Sequence, residues 1–205
     1  MNMRQQKRKS SAYQIFTRIS ADMTSPVVLT AFFFVFVCMR IIPDPIKALQ
    51  VFAVCFISQS VLPILYLLVT YRMKFIPDVH LFRKKDRNRV FPAIAVFYLV
   101  GLMVLYKIAA PTVIIGLVFS TIAIVLIIWW VNIFYKISIH MSGLAGMIVG
   151  LFFVSGCYPA TPLVFFLPVA GWVRYRSKAH TLSELTVGAI TGALVTWMVM
   201  SFFIP

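Results

Sequence analysis

Acidic residues are scarce in this chain. Of its 205 residues only five are Asp or Glu, and Glu184 is the one glutamate. Enzymes that bind a pyrophosphate through magnesium usually hold the metal with clustered aspartates, whereas the four aspartates here are isolated from one another. This pattern argues against a prenyltransferase, a class of enzyme that also handles isoprenoid pyrophosphates in a helical bundle.

Cysteine and paired metal ligands are also few. Cys38, Cys55 and Cys157 lie within apolar runs, which is typical of packing and not of a disulfide framework. The three histidines and three cysteines show no paired ligand spacing, so we expect no structural zinc site and no cofactor. A haem held between His140 and His180 is an alternative that an absorption spectrum would test.

Charge is low overall and mostly of one sign. Only 12% of the residues are charged, 61% are hydrophobic, and the mean hydropathy is +0.96. Soluble domains are about half apolar and a quarter charged, so the composition predicts a polytopic membrane protein. The apolar runs are too long for barrel strands. We therefore expect an all-α transmembrane helical bundle of six to seven spans.

The apolar runs divide the chain into a tail and one membrane domain. Residues 1–24 read as a basic N-terminal tail or interfacial helix, and residues 25–205 as a single transmembrane helical domain. Residues 43–45, Pro-Asp-Pro, predict a tight turn, and residues 72–89 a polar connection. The expected spans are 25–42, 46–71, 90–108, 111–135, a fifth that ends near residue 158, a short proline-broken segment at 159–172, and 180–204.

These spans place four polar segments on one side of the membrane. Residues 1–24, 72–89, 136–140 and 174–180 carry sixteen basic residues, against Arg40, Lys47 and Lys107 on the other side. The positive-inside rule puts the sixteen in the cytoplasm, and we expect an integral protein of a bacterial or archaeal cytoplasmic membrane. The net charge of +14 then indicates lipid headgroups and phosphorylated lipids as partners, and no nucleic acid.

Glu184 follows His180 by four residues, a spacing that brings two helical side chains onto one face. A carboxylate that accepts a hydrogen bond from one imidazole nitrogen fixes the tautomer and leaves the other nitrogen basic. Arg174 and Arg176 bring positive charge to the same place. Such a group is suited to attack on a phosphate. The alternative is a basic membrane-interface loop with an incidental histidine.

His140 begins a glycine-containing segment that we expect to pack against the last helix. Small residues let two membrane helices approach closely, which would bring His140 near His180. The glycines concerned are Gly143, Gly146, Gly150, Gly188 and Gly192. The alternative for His140 is an interfacial histidine bonded to a carbonyl.

Three segments resemble the motifs of the type 2 phosphatidic acid phosphatase superfamily of membrane lipid phosphatases, which are Lys-x6-Arg-Pro, Pro-Ser-Gly-His and Ser-Arg-x5-His-x3-Asp. Arg174-x5-His180-x3-Glu184 is similar to the third motif, with Val173 for serine and glutamate for aspartate.

Ser138-Ile-His140 is similar to part of the second motif, without its proline and glycine. Lys84-x6-Phe91-Pro92 has the spacing of the first, and Arg89 or Arg87 would supply the arginine. The resemblance covers about residues 84–192, the expected catalytic core, and implies a phosphatase-like core in a divergent member of the superfamily.

The resemblance implies roles for these residues. His180 would be the nucleophile that forms a phosphohistidine, Glu184 would orient it, and His140 would act as general acid and base. The implied phosphate-binding residues are Arg174, Lys84, Arg87, Arg89 and Ser138. No metal would be required.

The expected substrate is a lipid phosphate, because a site at headgroup level admits a phosphate whose tail stays in the bilayer. Isoprenoid, glycerolipid and lipid A types remain open, as do monophosphate against pyrophosphate, hydrolysis against phosphotransfer, and oligomeric state. A non-enzymatic transporter or scaffold that binds anionic lipid explains the basic face equally well. It gives no reason for a glutamate four residues after a histidine.

Overall fold

A computed structural model describes residues 26–76 and 84–204, and the predicted N-terminal tail lies outside them. Within these ranges the chain forms helices and no strand, so the prediction of an all-α fold is confirmed for the described residues. The helices are α1 (Pro26–Ile41), α2 (Pro45–Arg72), α3 (Lys84–Lys107), α4 (Thr112–Val131), α5 (Ile139–Ser155), α6 (Cys157–Arg176) and α7 (Leu182–Phe203).

Four of these helices, α2, α3, α4 and α7, are long and apolar enough to cross a membrane, and α1 and α5 contain shorter apolar helices. Large apolar side chains also cover the outside of the bundle: Phe32, Phe165 and Phe202 are 71%, 73% and 86% exposed. A soluble monomer rarely exposes so much apolar surface. The chain is therefore an integral membrane protein, while the number of six to seven crossings stays a prediction.

The predicted Pro-Asp-Pro turn is present between α1 and α2. The Asp44 side chain caps α2 by accepting a hydrogen bond from the Ile46 backbone N–H at 2.9 Å, and Pro45 occupies the first helical position, where no N–H is needed. Further along, α2 loosens into a π-helical segment at Ile57–Val61. The Tyr98 hydroxyl donates to the Gln59 carbonyl there, at 3.4 Å.

Three predicted boundaries are wrong. Residues 84–89 belong to α3 and not to a connection, with Asp86 in the first turn, where a negative charge favours the helix dipole. The segment predicted as short and proline-broken is the 20-residue helix α6, which continues through Pro162 and Pro168. Each proline removes a single backbone donor, a loss that membrane helices tolerate within a bundle.

The third error concerns the start of α7, which begins at Leu182 and not at His180. Thr181 is extended and caps the helix by accepting a hydrogen bond from the Glu184 N–H at 3.3 Å. Because the cap ends the helix there, His180 lies in the turn before it.

Helices α5 and α7 run in parallel and in close contact. The Ser138 N–H donates to the Glu184 carbonyl at 3.2 Å, and the Ser142 hydroxyl donates to the Gly188 carbonyl at 2.9 Å. A Cβ on Gly188 would lie 2.7 Å from the Ser138 carbonyl oxygen, and one on Gly192 would overlap the Ser142 backbone. The prediction of glycine-mediated contact is therefore confirmed for Gly146, Gly188 and Gly192, whereas a Cβ on Gly143 meets nothing within 4 Å and one on Gly150 meets Leu117 and Phe33 of other helices. The N-termini of α5 and α7 lie at the same end.

The polar segments at this end of the bundle, which we call the site end, contact one another. Arg87 of α3 donates to the Ile137 carbonyl at 2.8 Å, and Lys136 donates to the Ala179 carbonyl at 2.8 Å. The start of α3, the connection from α4 to α5 and the turn from α6 to α7 therefore meet, as the topology argument expected.

Candidate functional site

His180 and Glu184 are the central pair at the site end. His180 is buried, with 9% of its surface exposed, and its Nδ1 lies 2.6 Å from Glu184 Oε2. The turn that holds His180 is fixed on both sides. Before it, the Ala179 N–H closes α6 by donating to the Arg174 carbonyl at 3.2 Å, and after it Thr181 caps α7.

The turn also contains an unusual backbone conformation. Lys178 has a φ of 55°, the left-handed region that usually takes glycine, and its N–H donates to the Tyr175 carbonyl at 3.0 Å. This is the hydrogen-bond pattern that ends many helices, here with a lysine where glycine is common. The turn therefore carries some backbone strain, and Lys178 also lines the cleft described below.

The environment favours the neutral form of His180. Burial lowers the pKa of its imidazole well below the usual value, and the nearby cations Lys136 and Arg87 add to this lowering, while the hydrogen bond with Glu184 opposes it. A neutral ring that donates Nδ1–H to Glu184 keeps Nε2 unprotonated. Among the described residues Nε2 has no hydrogen-bond partner, so it can act as a nucleophile or a base.

An open cleft of about 730 Å³ lies over this pair. Its charged lining consists of His180, Glu184, Lys136, Arg176 and Lys178, and the hydroxyls of Tyr175, Thr181 and Ser183 also line it. Among these lining residues Glu184 is the one carboxylate, and its charge is opposed by three cations. The cleft is therefore suited to an anion of the size of a phosphate ester.

Lys136 is the residue of this cleft that the sequence interpretation missed as a site residue. Its Nζ lies 3.9 Å from Glu184 Oε2, and 24% of its side chain is exposed. Burial lowers the pKa of its ammonium, which Glu184 partly offsets and Arg87 reinforces. A usable signal was present, because Lys136 is the only cation in the 136–140 segment.

The two candidate arginines of α3 have different surroundings. Arg87 is 3% exposed and bonds the Ile137 carbonyl, whereas Arg89 is exposed and bonds the Phe75 carbonyl at 3.4 Å near the end of α2. Only Arg87 is thus directed toward the segment beside His180. The side chain of Lys84 lies outside the described residues, and Arg174 is half-buried but does not line the cleft.

Ser138 is fully buried and caps α5. Its hydroxyl oxygen accepts a hydrogen bond from the Met141 N–H at 3.5 Å, and its carbonyl accepts one from the Ser142 hydroxyl at 3.0 Å. It does not line the cleft. Its role in phosphate binding stays a prediction.

His140 lies in the first turn of α5 at the same end of the bundle as His180. It does not line the cleft over His180 and Glu184. Its role as general acid and base stays a prediction.

The described residues contain no group of three or more His, Cys, Asp or Glu side chains that could hold a metal ion. The polar groups at the site are instead an imidazole–carboxylate pair, cations and hydroxyls. No protein-family model, curated protein or solved structure matches this chain. The chemistry of this site is therefore the basis for inferring a function.

Proposed function

We propose that this protein is a metal-independent lipid phosphatase that hydrolyses a phosphomonoester or pyrophosphate of a lipid through a phosphohistidine. The observation that carries this proposal is the His180–Glu184 pair, 2.6 Å apart, in a cationic cleft at one end of a membrane bundle. A neutral imidazole oriented by a carboxylate is a competent nucleophile, and the adjacent cations favour a phosphate as its target.

In the first step, His180 Nε2 attacks phosphorus, and the N–P bond forms as the P–O bond to the lipid breaks. Glu184 stabilises the positive charge that the ring acquires, and a general acid, the role that the resemblance gives to His140, donates a proton to the departing lipid oxygen. In the second step, water attacks phosphorus, His140 accepts a proton from that water, and the N–P bond breaks. Inorganic phosphate leaves and His180 returns to its neutral form.

Cations at the site end would stabilise the charge on the non-bridging phosphate oxygens. The resemblance assigns this role to Arg174, Lys84, Arg87 or Arg89, with Ser138 as a further donor. The hydrogen bond from Arg87 to Ile137 supports Arg87 over Arg89, because it holds the guanidinium beside the connection that leads to Ser138.

This function is that of a divergent member of the type 2 phosphatidic acid phosphatase superfamily, with six to seven membrane crossings. The length of α6 is compatible with a crossing, because 20 helical residues extend about 30 Å, the thickness of a bilayer core, although α6 is less apolar than the four long helices. The concentration of basic residues at the site end supports a cytoplasmic-facing site in a bacterial or archaeal cytoplasmic membrane. Isoprenoid, glycerolipid and lipid A phosphates all satisfy this geometry.

The test is phosphate release by the purified full-length protein from a panel of lipid phosphates, with and without EDTA. We expect release that EDTA does not reduce, that His180→Ala abolishes, and that Lys107→Met, which removes an exposed charge at the opposite end, leaves unchanged. Undiminished release by His180→Ala would overturn the assignment. Binding of the lipids without release would instead support the non-enzymatic transporter or scaffold.

A further inference from the structure

The cleft has an innermost cation that neither the motifs nor the resemblance assigns. We propose that Lys136 binds the phosphoryl group directly and, through Ala179, holds the His180 turn in position to attack it. This inference rests on the proposed function and names a phosphate ligand of the same site.

The backbone around Lys136 is fixed by its neighbours. The Ile137 carbonyl accepts a hydrogen bond from Arg87, and the Ser138 N–H donates to the Glu184 carbonyl at 3.2 Å. Two successive residues after Lys136 are thus anchored to α3 and α7. The ammonium group therefore enters the cleft from a rigid connection and not from a mobile loop.

The hydrogen-bond capacity of the Lys136 ammonium is only partly used. It has three N–H donors, and one of them bonds the Ala179 carbonyl at 2.8 Å. Glu184 Oε2, at 3.9 Å, is close enough for charge attraction but too far for a hydrogen bond. Two donors of this half-buried cation therefore face the open cleft, where solvent or a ligand can accept hydrogen bonds from them.

The position of this ammonium suits a phosphate that His180 attacks. Glu184 Oε2 is shared, since it lies 2.6 Å from His180 Nδ1 and 3.9 Å from Lys136 Nζ. The ammonium group and the imidazole therefore lie near the same carboxylate oxygen. A phosphate placed at the free face of the ring comes under the charge of Lys136, which acts more strongly in a partly buried site than at a surface.

The other two cations of the cleft are less suited to this role. Arg176 is exposed, and its guanidinium lies over the Trp172 ring, 5.9 Å from the ring centre. Lys178 is exposed and sits on the strained residue of the turn. Both therefore act at the rim, where solvent weakens their charge. The charge of Lys136, in contrast, acts on His180 itself.

The position of Lys136 also provides a signature that a merely structural lysine would not have. The groups that face His180 are Glu184 from α7, Lys136 from the connection and Arg87 from α3, with Tyr175, Arg176 and Lys178 from the end of α6. Because Lys136 lowers the pKa of His180, removing its charge raises that pKa. Replacing it with arginine leaves the pKa low.

The test measures the rate at which diethyl pyrocarbonate modifies His180, followed by peptide mass spectrometry on the full-length protein in detergent. Only the neutral ring reacts, so the pH dependence of the rate gives the pKa of His180, and inorganic phosphate in the cleft protects the ring. The proteins compared are the wild type, Lys136→Met, Lys136→Arg and the control Lys107→Met. Where Lys136→Met fails to fold, Lys136→Gln is used in its place.

We expect phosphate to protect His180 in the wild type and in Lys107→Met. Lys136→Met should need at least about tenfold more phosphate for the same protection, which is the loss expected for a charged hydrogen bond. The pKa of His180 should also be raised in this variant. Lys136→Arg should restore both values. Equal phosphate dependence in the wild type and Lys136→Met, or no protection in any protein, would overturn the proposal.

This readout does not depend on lipid turnover. Protection that requires Lys136, in a protein that releases phosphate from no lipid, would leave the phosphate site standing and refute the phosphatase. If Lys136→Met changes neither phosphate release nor the protection of His180 by phosphate, the phosphatase proposal stands and the role of Lys136 is refuted.

Discussion

His180 Nδ1 and Glu184 Oε2 lie 2.6 Å apart although His180 lies outside α7 and Glu184 lies in its first turn. The extended Thr181 cap between them turns the chain back over the helix start, so a four-residue spacing brings the side chains together without a continuous helix. The hydrogen bond therefore joins the turn before α7 to the packed helix itself.

The first prediction concerns this hydrogen bond. Glu184→Gln keeps the size of the side chain but removes the charge that holds the Nδ1–H tautomer, so phosphate release should fall about 10- to 100-fold. The measurement is the initial rate with the best lipid phosphate of the panel. Thr186→Val, which changes an exposed position two residues along α7, is the control. A rate of Glu184→Gln equal to that of the control would contradict an orienting role.

The second prediction concerns the pH dependence of stability. Because the pKa of His180 is lowered in the folded protein, the unfolded chain binds a proton below about pH 6.5 while the folded protein does not. The contribution is therefore fully present above pH 6.5 and is lost as the pH falls below it. Between pH 7.5 and 5, the unfolding temperature of the wild type should decrease more than that of His180→Asn. Equal decreases in the two proteins would show that His180 has the same pKa in the folded and the unfolded protein.

The third prediction concerns the contact between α5 and α7. Gly192→Ala places a methyl group against the Ser142 backbone, which cannot move without separating the helices, so the free energy of unfolding should fall by about 1–3 kcal/mol. Gly143→Ala meets no atom within 4 Å and should be neutral or stabilising by up to about 1 kcal/mol. Denaturation in detergent compares the two. Equal losses would mean that the close packing is not at Gly192.

The fourth prediction uses two lysines with the same backbone conformation. Lys178 and Lys74 have φ values of 55° and 58°, each just after the end of a helix. Replacing either with glycine relieves about 1 kcal/mol of backbone strain, so both variants should unfold at a higher temperature. Only Lys178→Gly removes a cation from the cleft, and its KM for lipid phosphate should rise about two- to fivefold. A similar KM change in Lys74→Gly would indicate general membrane electrostatics.

Hydropathy was enough to predict the helical bundle, because long apolar runs in a membrane have few other options. The Asp44 turn and the His180–Glu184 contact also followed from spacing, since both depend on residues close in the sequence. The start of α7 did not follow. The sequence alone does not show whether Thr181 caps the helix, with His180 before it, or whether both residues belong to the first turn.

The phosphate-binding candidates were harder to predict, because they depend on contacts between distant segments. Arg87 and Arg89 are two residues apart in sequence, yet one bonds the connection before α5 and the other the end of α2. Lys136 meets Ala179 and Glu184 only after α4 to α7 have packed.

The most direct measurement is the site of phosphorylation during turnover. The protein is mixed with a lipid carrying a radioactive phosphate, quenched in alkali, where phosphohistidine is stable, and digested for peptide mapping. We expect the label on His180, absent from His180→Ala and present in Lys107→Met. Turnover without a labelled protein, or a label on another residue, would contradict the phosphohistidine mechanism.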